Sequence, residues 1–137
     1  MSASVELFCI DPQRVHEVWP KVEHLVAAAV RRTGLSHSAD IEYDTLHGDG
    51  LLWLACRGDT IEAAATTVLT ETDTTKVCVL TACGGARMRG WLPLLAKIED
   101  YAKAEGCGCL RIYGRKGWAR VLTDYRVEHV ILRKELR

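Results

Sequence analysis

The sequence predicts a single α/β domain over residues 1–137, with a mixed central sheet and helices on both faces. The first observation behind this prediction is an antiparallel meander of three apolar runs within residues 51–83, separated by turns at 57–60 and 72–75. The second is that the last run leads through a helix into another strand. A strand–helix–strand unit of this length is a right-handed crossover between parallel strands.

The crossover occupies residues 76–113. Lys76–Cys83 is rich in apolar and β-branched residues and ends at Gly84-Gly85, as a buried strand would. A helix is predicted from Trp91 to Glu105, because its apolar residues repeat at intervals of three and four and share one face. These residues are Trp91, Leu94, Leu95, Ile98, Tyr101 and Ala102. Gly106 then ends the helix, and residues 109–113 form the second strand.

The remaining predicted elements, in chain order, are a strand at 5–11, helices at 12–32, 38–46 and 118–124, and a closing strand at 128–136. The first helix has a cap at Asp11 and a favourable first residue at Pro12. Pro20 lies within its apolar stripe and lacks a backbone donor, which predicts either a kink or a later start. The closing strand is predicted from the apolar run His129–Leu132.

Charge is divided unevenly along a chain whose formal net charge is zero. The first 86 residues hold 6 basic and 12 acidic side chains, whereas the rest hold 12 and 6. A basic second half suits an anionic ligand bound there, unless folding mixes the two halves. The local cluster formed by Arg111, Arg115, Lys116 and Arg120 could contact a phosphate or nucleic acid, or form a solvated face; a nucleic-acid partner is not expected.

The six cysteines predict buried structural thiols rather than a metal site, since their spacing matches no zinc signature. We therefore expect no metal. The first residues contain no basic start followed by an apolar stretch, and no apolar run approaches about 20 residues. A cytoplasmic protein without membrane contact is the expectation.

Arg87-Met-Arg-Gly90, followed by the amphipathic helix, by Gly106 and by Leu110–Ile112, resembles the GNAT superfamily of acyl-CoA-dependent N-acyltransferases. The order of elements resembles that family over most of the chain, and the motif over about residues 76–125. The resemblance implies a GNAT-like fold, acetyl-CoA or another acyl-CoA as cofactor, and acyl transfer to an amine. The acceptor would be a small molecule or a peptide.

The same resemblance implies where the cofactor binds. The loop formed by Arg87, Met88, Arg89 and Gly90 would hold the pyrophosphate at the helix N-terminus, where backbone amides and the helix dipole favour an anion. Backbone amides near Val79, Leu80 and Thr81 would hold the thioester, in a wedge between two diverging parallel strands.

Catalytic residues are implied with less detail. Tyr125 would protonate the leaving thiolate, although direct matching places Thr123 at the tyrosine position of the family. Glu71, or alternatively Glu62, would act as the base, since carboxylates on that part of the sheet face the substrate cleft in many relatives.

The alternative hypothesis is a non-catalytic GNAT-like protein that binds protein partners or self-assembles, such as a phage virion or assembly component. It is favoured by Leu92, which stands where the phosphate loop of the family has a small residue that permits close approach. The retained Arg87 and Gly90 favour the enzyme.

Overall fold

The computed structural model describes residues 4–85, 92, 95–114 and 117–137. The strands are β1 (Val5–Cys9), β2 (Gly50–Arg57), β3 (Thr60–Glu71), β4 (Lys76–Gly85) and β5 (Cys109–Ile112). They form one sheet in the order β1-β2-β3-β4-β5. Pairs from β1 to β4 are antiparallel, whereas β4 and β5 are parallel. The predicted meander and parallel crossover are therefore confirmed.

The described helices are α1 (Val15–Thr33), α2 (Ser38–Leu46), α3 (Leu95–Ala104) and α4 (Gly117–Val121). Apolar side chains of α1 and α2 pack on one face of the sheet, where they meet Leu52, Leu54 and Ala64. Side chains of α3, together with Leu122 after α4, pack on the opposite face. The prediction of helices on both faces is confirmed, and each face has its own apolar layer.

Trp53 connects the meander to α3. Its side chain is buried on β2, and its indole N–H donates to the Thr67 hydroxyl on β3 at 3.0 Å. The same ring meets Tyr101 of α3 edge-on, with 5.5 Å between ring centroids. A buried indole needs a partner for its N–H, and Thr67 supplies it without opening the core to water.

The first helix begins at Val15, after its predicted start at residue 12. Asp11 accepts the Gln13 N–H at 2.9 Å and caps a single 3₁₀ turn, Pro12–Arg14, before α1 starts. The helix passes through Pro20 and ends at Gly34, whose φ of +66° closes it in the left-handed conformation. Helix α2 starts at Ser38 as predicted, and the ring of His37 accepts the Ala39 N–H at 3.2 Å and caps it.

A β-bulge interrupts β4. Thr66 of β3 pairs with Ala82, whereas the next residue, Thr67, pairs with Leu80. Thr81 is therefore the extra residue on β4. Leu80 belongs to the apolar layer under α3, and Ala82 belongs to the layer under α1.

The predicted closing strand at 128–136 is wrong. Residues 126–137, which we call the tail, contain no helix or strand, and the Leu132 side chain is 91% exposed. The apolar run gives the tail strand propensity, but a strand forms only when its backbone pairs with a neighbour. No strand in the described part of the chain pairs with the tail. The last predicted helix is present but short, since α4 ends at Val121.

Helix α1 crosses the end of β4 at Gly84. A Cβ atom added to Gly84 would lie 2.4 Å from the Leu25 carbonyl oxygen and 3.4 Å from the Ala29 Cβ. Only glycine therefore permits the observed distance between this helix and the sheet.

We expect Gly84→Ala to lower the free energy of unfolding by about 1–3 kcal/mol, because α1 must move away from β4 to accommodate the methyl group. The measurement is urea denaturation followed by circular dichroism. Gly117→Ala is the matched control, since an added Cβ meets nothing within 4 Å there. Equal stability of the two variants would contradict the close approach of α1.

Candidate functional site

Strands β4 and β5 diverge halfway along β4. Their parallel ladder has four residue pairs and ends where Leu80 pairs with Ile112. One further hydrogen bond joins the Tyr113 N–H to the Leu80 carbonyl at 3.1 Å. Beyond this point β4 continues to Gly85, paired only with β3 in the described structure. Peptide groups on that edge of β4 can therefore pair with an extended ligand.

The β5 side of this divergence leaves the sheet toward α4. Gly114 lies against the Trp118 indole, so closely that a Cβ on Gly114 would be 2.9 Å from the ring. The chain therefore turns away from β4 directly after Tyr113. The packing of Gly114 on the Trp118 indole therefore helps to hold the two strands apart.

A pocket of about 450 Å³ adjoins the divergence on the face covered by α1 and α2. Its walls are the loop that follows Gly34, one side of α2, Val68 of β3 and Thr81 of β4. The Thr81 hydroxyl lies 2.8 Å from the Thr66 hydroxyl, which fixes the side chain at the bulge. Because Thr81 lines the pocket and is also the first β4 residue beyond the paired ladder, the two features meet at this residue.

The pocket is acidic on the side of α2. Asp40 and Asp44 are four residues apart on the helix and both line the pocket, and Asp44 is half-buried. The His37 ring is also a lining group; its Nδ1 accepts the Ala39 N–H, so the neutral ring carries its proton on Nε2. Two carboxylates beside a ring donor favour a cationic or hydrogen-bonding ligand.

Sequence reasoning missed this pocket. The one available signal was the spacing of Asp40 and Asp44 within a short helix of weak apolar pattern. That spacing shows that the two aspartates share a face of α2. It does not reveal that this face and Thr81 line the same pocket.

The predicted cofactor residues are only partly within the described structure. Val79 and Leu80 are buried in the paired part of β4, and Thr81 follows them at the bulge. Arg87, Met88, Arg89 and Gly90 lie outside the described residues. Leu92, the bulky residue at the position of the expected small one, packs against the apolar layer under α3.

The structure brings Tyr125 to α3, where its hydroxyl donates to the Glu99 carboxylate. Burial, followed by this hydrogen bond, raises the pKa of the Tyr125 phenol well above its ordinary value. The ring packs against the same apolar layer as Trp118 and Val121. The phenol is therefore held in its protonated form.

The two glutamates proposed as bases lie at opposite ends of β3. Glu71 is exposed at the hairpin, opposite Lys76, and five residues of β4 place it about 17 Å from Thr81. Glu62 is near the other end; one carboxylate oxygen accepts from the Arg57 guanidinium at 2.8 Å, and the second is buried and has no hydrogen-bond partner among the described residues. Neither lines the pocket.

The cysteines are free, and their environments differ. Cys78 is fully buried, and burial raises the pKa of its thiol to about 11. Cys9 and Cys109 are exposed, which corrects the expectation that the thiols are buried. Within the described residues no group of three or more histidine, cysteine or acidic side chains could hold a metal ion. None of the helices in those residues is long and apolar enough to cross a membrane.

We expect the free energy of unfolding to fall as pH rises above about 10. In the unfolded chain ordinary phenols lose their protons there, while Tyr125 stays protonated in the fold and Tyr101, whose pKa burial raises to about 12, does so in part. Each such group contributes a slope of at most about 1.4 kcal/mol per pH unit. Tyr125→Phe should reduce this slope in urea titrations between pH 9 and 11. Tyr43→Phe, which removes an exposed phenol, is the matched control, and an unchanged slope for Tyr125→Phe would contradict the assignment.

Solved structures share this architecture over nearly the whole chain. A GNAT family acetyltransferase from Staphylococcus aureus is 15% identical, with a TM-score of 0.65, covering 97% of this chain and 99% of its own. An aminoglycoside acetyltransferase from an uncultured soil metagenomic sample, in complex with sisomicin, is 11% identical, with a TM-score of 0.69 and 97% of each chain covered. A predicted acetyltransferase with acetyl-CoA from Clostridium acetobutylicum is 13% identical, with a TM-score of 0.66, covering 97% of this chain and 96% of that one.

No protein-family profile matches the sequence, and no curated protein does. At these identities the likeness establishes the fold and not the activity. The mixed sheet, its parallel last pair and the helices on both faces agree with the fold implied by Arg87 and Gly90. The chain therefore has the fold of the GNAT acetyltransferases.

Proposed function

We propose that this protein transfers an acyl group from acyl-CoA to an amine of a small cationic molecule. The observation that carries the proposal is the location of Thr81. This residue lies at the start of the β4–β5 divergence and also lines the acidic pocket. A thioester in the divergence and an amine in the pocket would meet beside this residue. Positioning two reactants in this way is itself a large part of catalysis.

The cofactor would bind along β4. Its pantetheine arm contains two amide groups, and these can pair with the free peptide edge between Thr81 and Gly85 as a neighbouring strand would. The thioester would then lie near Val79–Thr81, where an amide at the bulge can donate to the developing oxyanion. The pyrophosphate would lie at the loop Arg87–Gly90.

The acceptor would enter the pocket with one cationic group held by Asp40 and Asp44. Its reacting amine loses a proton, and Asp44, a half-buried carboxylate on the pocket wall, would accept it while Asp40 keeps the charge contact. The nitrogen then attacks the thioester carbonyl, a C–N bond forms, the C–S bond breaks, and CoA leaves as a thiolate that takes up a proton. The products are an amide and free CoA.

The source of the last proton is proposed to be Tyr125. Burial, together with the hydrogen bond to the Glu99 carboxylate, raises the pKa of this phenol and keeps it protonated at neutral pH. Donation to the thiolate requires the hydroxyl to turn from Glu99 when acyl-CoA is bound. Glu71 has no place in this scheme because it is exposed at the far end of β3.

A non-catalytic role as a phage virion or assembly component is not supported by the similar structures, which are described as acetyltransferases in the three cases above. The bulky Leu92 does not by itself argue for that role, since its side chain packs into the core. We therefore propose an acyltransferase rather than a virion or assembly component.

Acetyl-CoA should bind and stabilise the protein, by about 2.7 kcal/mol when its concentration is 100 times the dissociation constant. Arg87→Ala should weaken binding at least about tenfold, as loss of one charge-assisted contact to a phosphate costs about 1.4 kcal/mol or more. Isothermal titration calorimetry measures both values. Arg31→Ala, at the end of α1, is the matched control. If millimolar acetyl-CoA gives neither a heat of binding nor a shift in melting temperature, the proposal of an acyl-CoA-dependent enzyme is contradicted.

The double variant Asp40→Asn and Asp44→Asn should raise KM for a polyamine such as spermidine about tenfold or more while leaving acetyl-CoA affinity unchanged. Product is followed by mass spectrometry, because the six cysteines would react with a thiol reagent. Asp49→Asn, on the exposed turn after α2, should keep the original KM. A KM that does not change in the double variant would place the acceptor elsewhere.

A further inference from the structure

The two edges of the sheet differ in how they are covered. At the β1 edge, Lys97 of α3 donates to the Leu7 carbonyl at 3.3 Å, and a lysine over an edge strand hinders pairing with another chain. The outer edge of β5 has no strand beside it in the described structure. Leu110 and Ile112 are only half-buried there, so the apolar layer under α3 extends up to this open edge.

The tail has neither helix nor strand in the structure. Its two ion pairs, Arg126–Glu128 and Arg133–Glu135, each join residues two apart at 2.7 Å. Side chains at positions i and i+2 lie on the same side of an extended chain, but not of a helix. The spacing of these ion pairs is therefore compatible with pairing of the tail as a strand.

Large apolar side chains of the tail are exposed to solvent. Their exposed fractions range from 69% to 91%, and the residues are Val127, Val130, Ile131, Leu132 and Leu136. In an extended chain Val130, Leu132 and Leu136 share one side, which is the more exposed one. An apolar strand face of this kind is typical of a surface that is covered by a partner.

We propose that the tail of one copy of this chain pairs, as an added strand, with the β5 edge of a second copy, and that the exchange is reciprocal. The open β5 edge and the unpaired apolar tail are both present on one chain and remain apart in it. Two copies related by a twofold axis would each supply what the other lacks, as a self-complementary interface requires.

Packing and size agree with this arrangement. If Val130 and Leu132 face the apolar layer, they cover Leu110 and Ile112 and continue the core across the former edge. The twelve residues of the tail span about 40 Å when extended, which exceeds the length of the four-residue β5. Two such tails can bury the roughly 1,600 Å² of a stable interface.

The first test is the mass in solution, measured by light scattering during size-exclusion chromatography. The proposal expects about twice the chain mass of 15.2 kDa at 100 µM. Leu132→Asp should return the protein to a monomer, whereas Lys134→Asp, a charge change on the same side of the tail, should leave the dimer. A monomeric wild-type protein, or a dimer that survives Leu132→Asp, would overturn the proposal.

The second test shows whether the tail pairs with the β5 edge, and whether that edge belongs to the same chain or to a second copy. Cys109 is on the opposite side of β5 from Leu110 and is exposed, so it should meet the side of the tail that carries His129 and Ile131. In a Cys9→Ser background, His129→Cys or Ile131→Cys should form a disulfide to Cys109 between two chains under mild oxidation. The matched control adds Cys109→Ser and should abolish the bond.

The outcome is read on non-reducing gels and by peptide mapping. A covalent dimer joined through Cys109 supports the exchange. An intramolecular bond in a monomer would show that the tail pairs with its own β5, and no bond from either position would show that the tail lies elsewhere; both results overturn the proposal. Because the substituted side chains are exposed or near the surface, the variants test contact rather than folding.

Discussion

The hydrogen-bond ladder between β4 and β5 ends at Leu80, and the site depends on that end point. Up to Leu80, β4 has a strand on each side; beyond it, β3 is the only strand among the described residues that pairs with β4. A parallel partner extending to Gly85 would satisfy the peptide groups of β4 and leave no edge for a ligand. The bulge at Thr81 and the turn at Gly114 lie on the two sides of the point where the strands separate, and together they keep them apart.

The two halves of the proposed site have independent origins in the fold. The sheet supplies the free edge of β4, whereas the α1–α2 pair supplies the carboxylates of Asp40 and Asp44. The position of that helix pair depends on Gly84, because α1 contacts the backbone of β4 there. A change in the helix pair can therefore alter the acceptor while the cofactor side stays the same, which is one way in which a common fold serves many substrates.

Much of the fold could be predicted from the sequence, because the period of apolar residues changes clearly from strand to helix. The crossover at 76–113 is an example, and its parallel pairing was confirmed. The bulge could not be predicted, since the run from Lys76 to Cys83 is apolar on both sides and contains no alternation that a shift would disturb. The acidic pocket depends on α2 and Thr81 lying on the walls of one cavity, and the exposure of the tail depends on the lack of a pairing strand in the described structure. Neither property can be read from a local stretch of sequence.

The bulge has a consequence for the evolution of the chain. One extra residue reverses which side of β4 the following side chains take, so Leu80 and Ala82 serve different layers although they are two apart. Deleting Thr81 would turn Gly84 away from α1 and bring a neighbouring side chain against the helix. We therefore expect any insertion or deletion in the second half of β4 that moves Gly84 from beneath α1 to disturb the packing of this helix on the sheet.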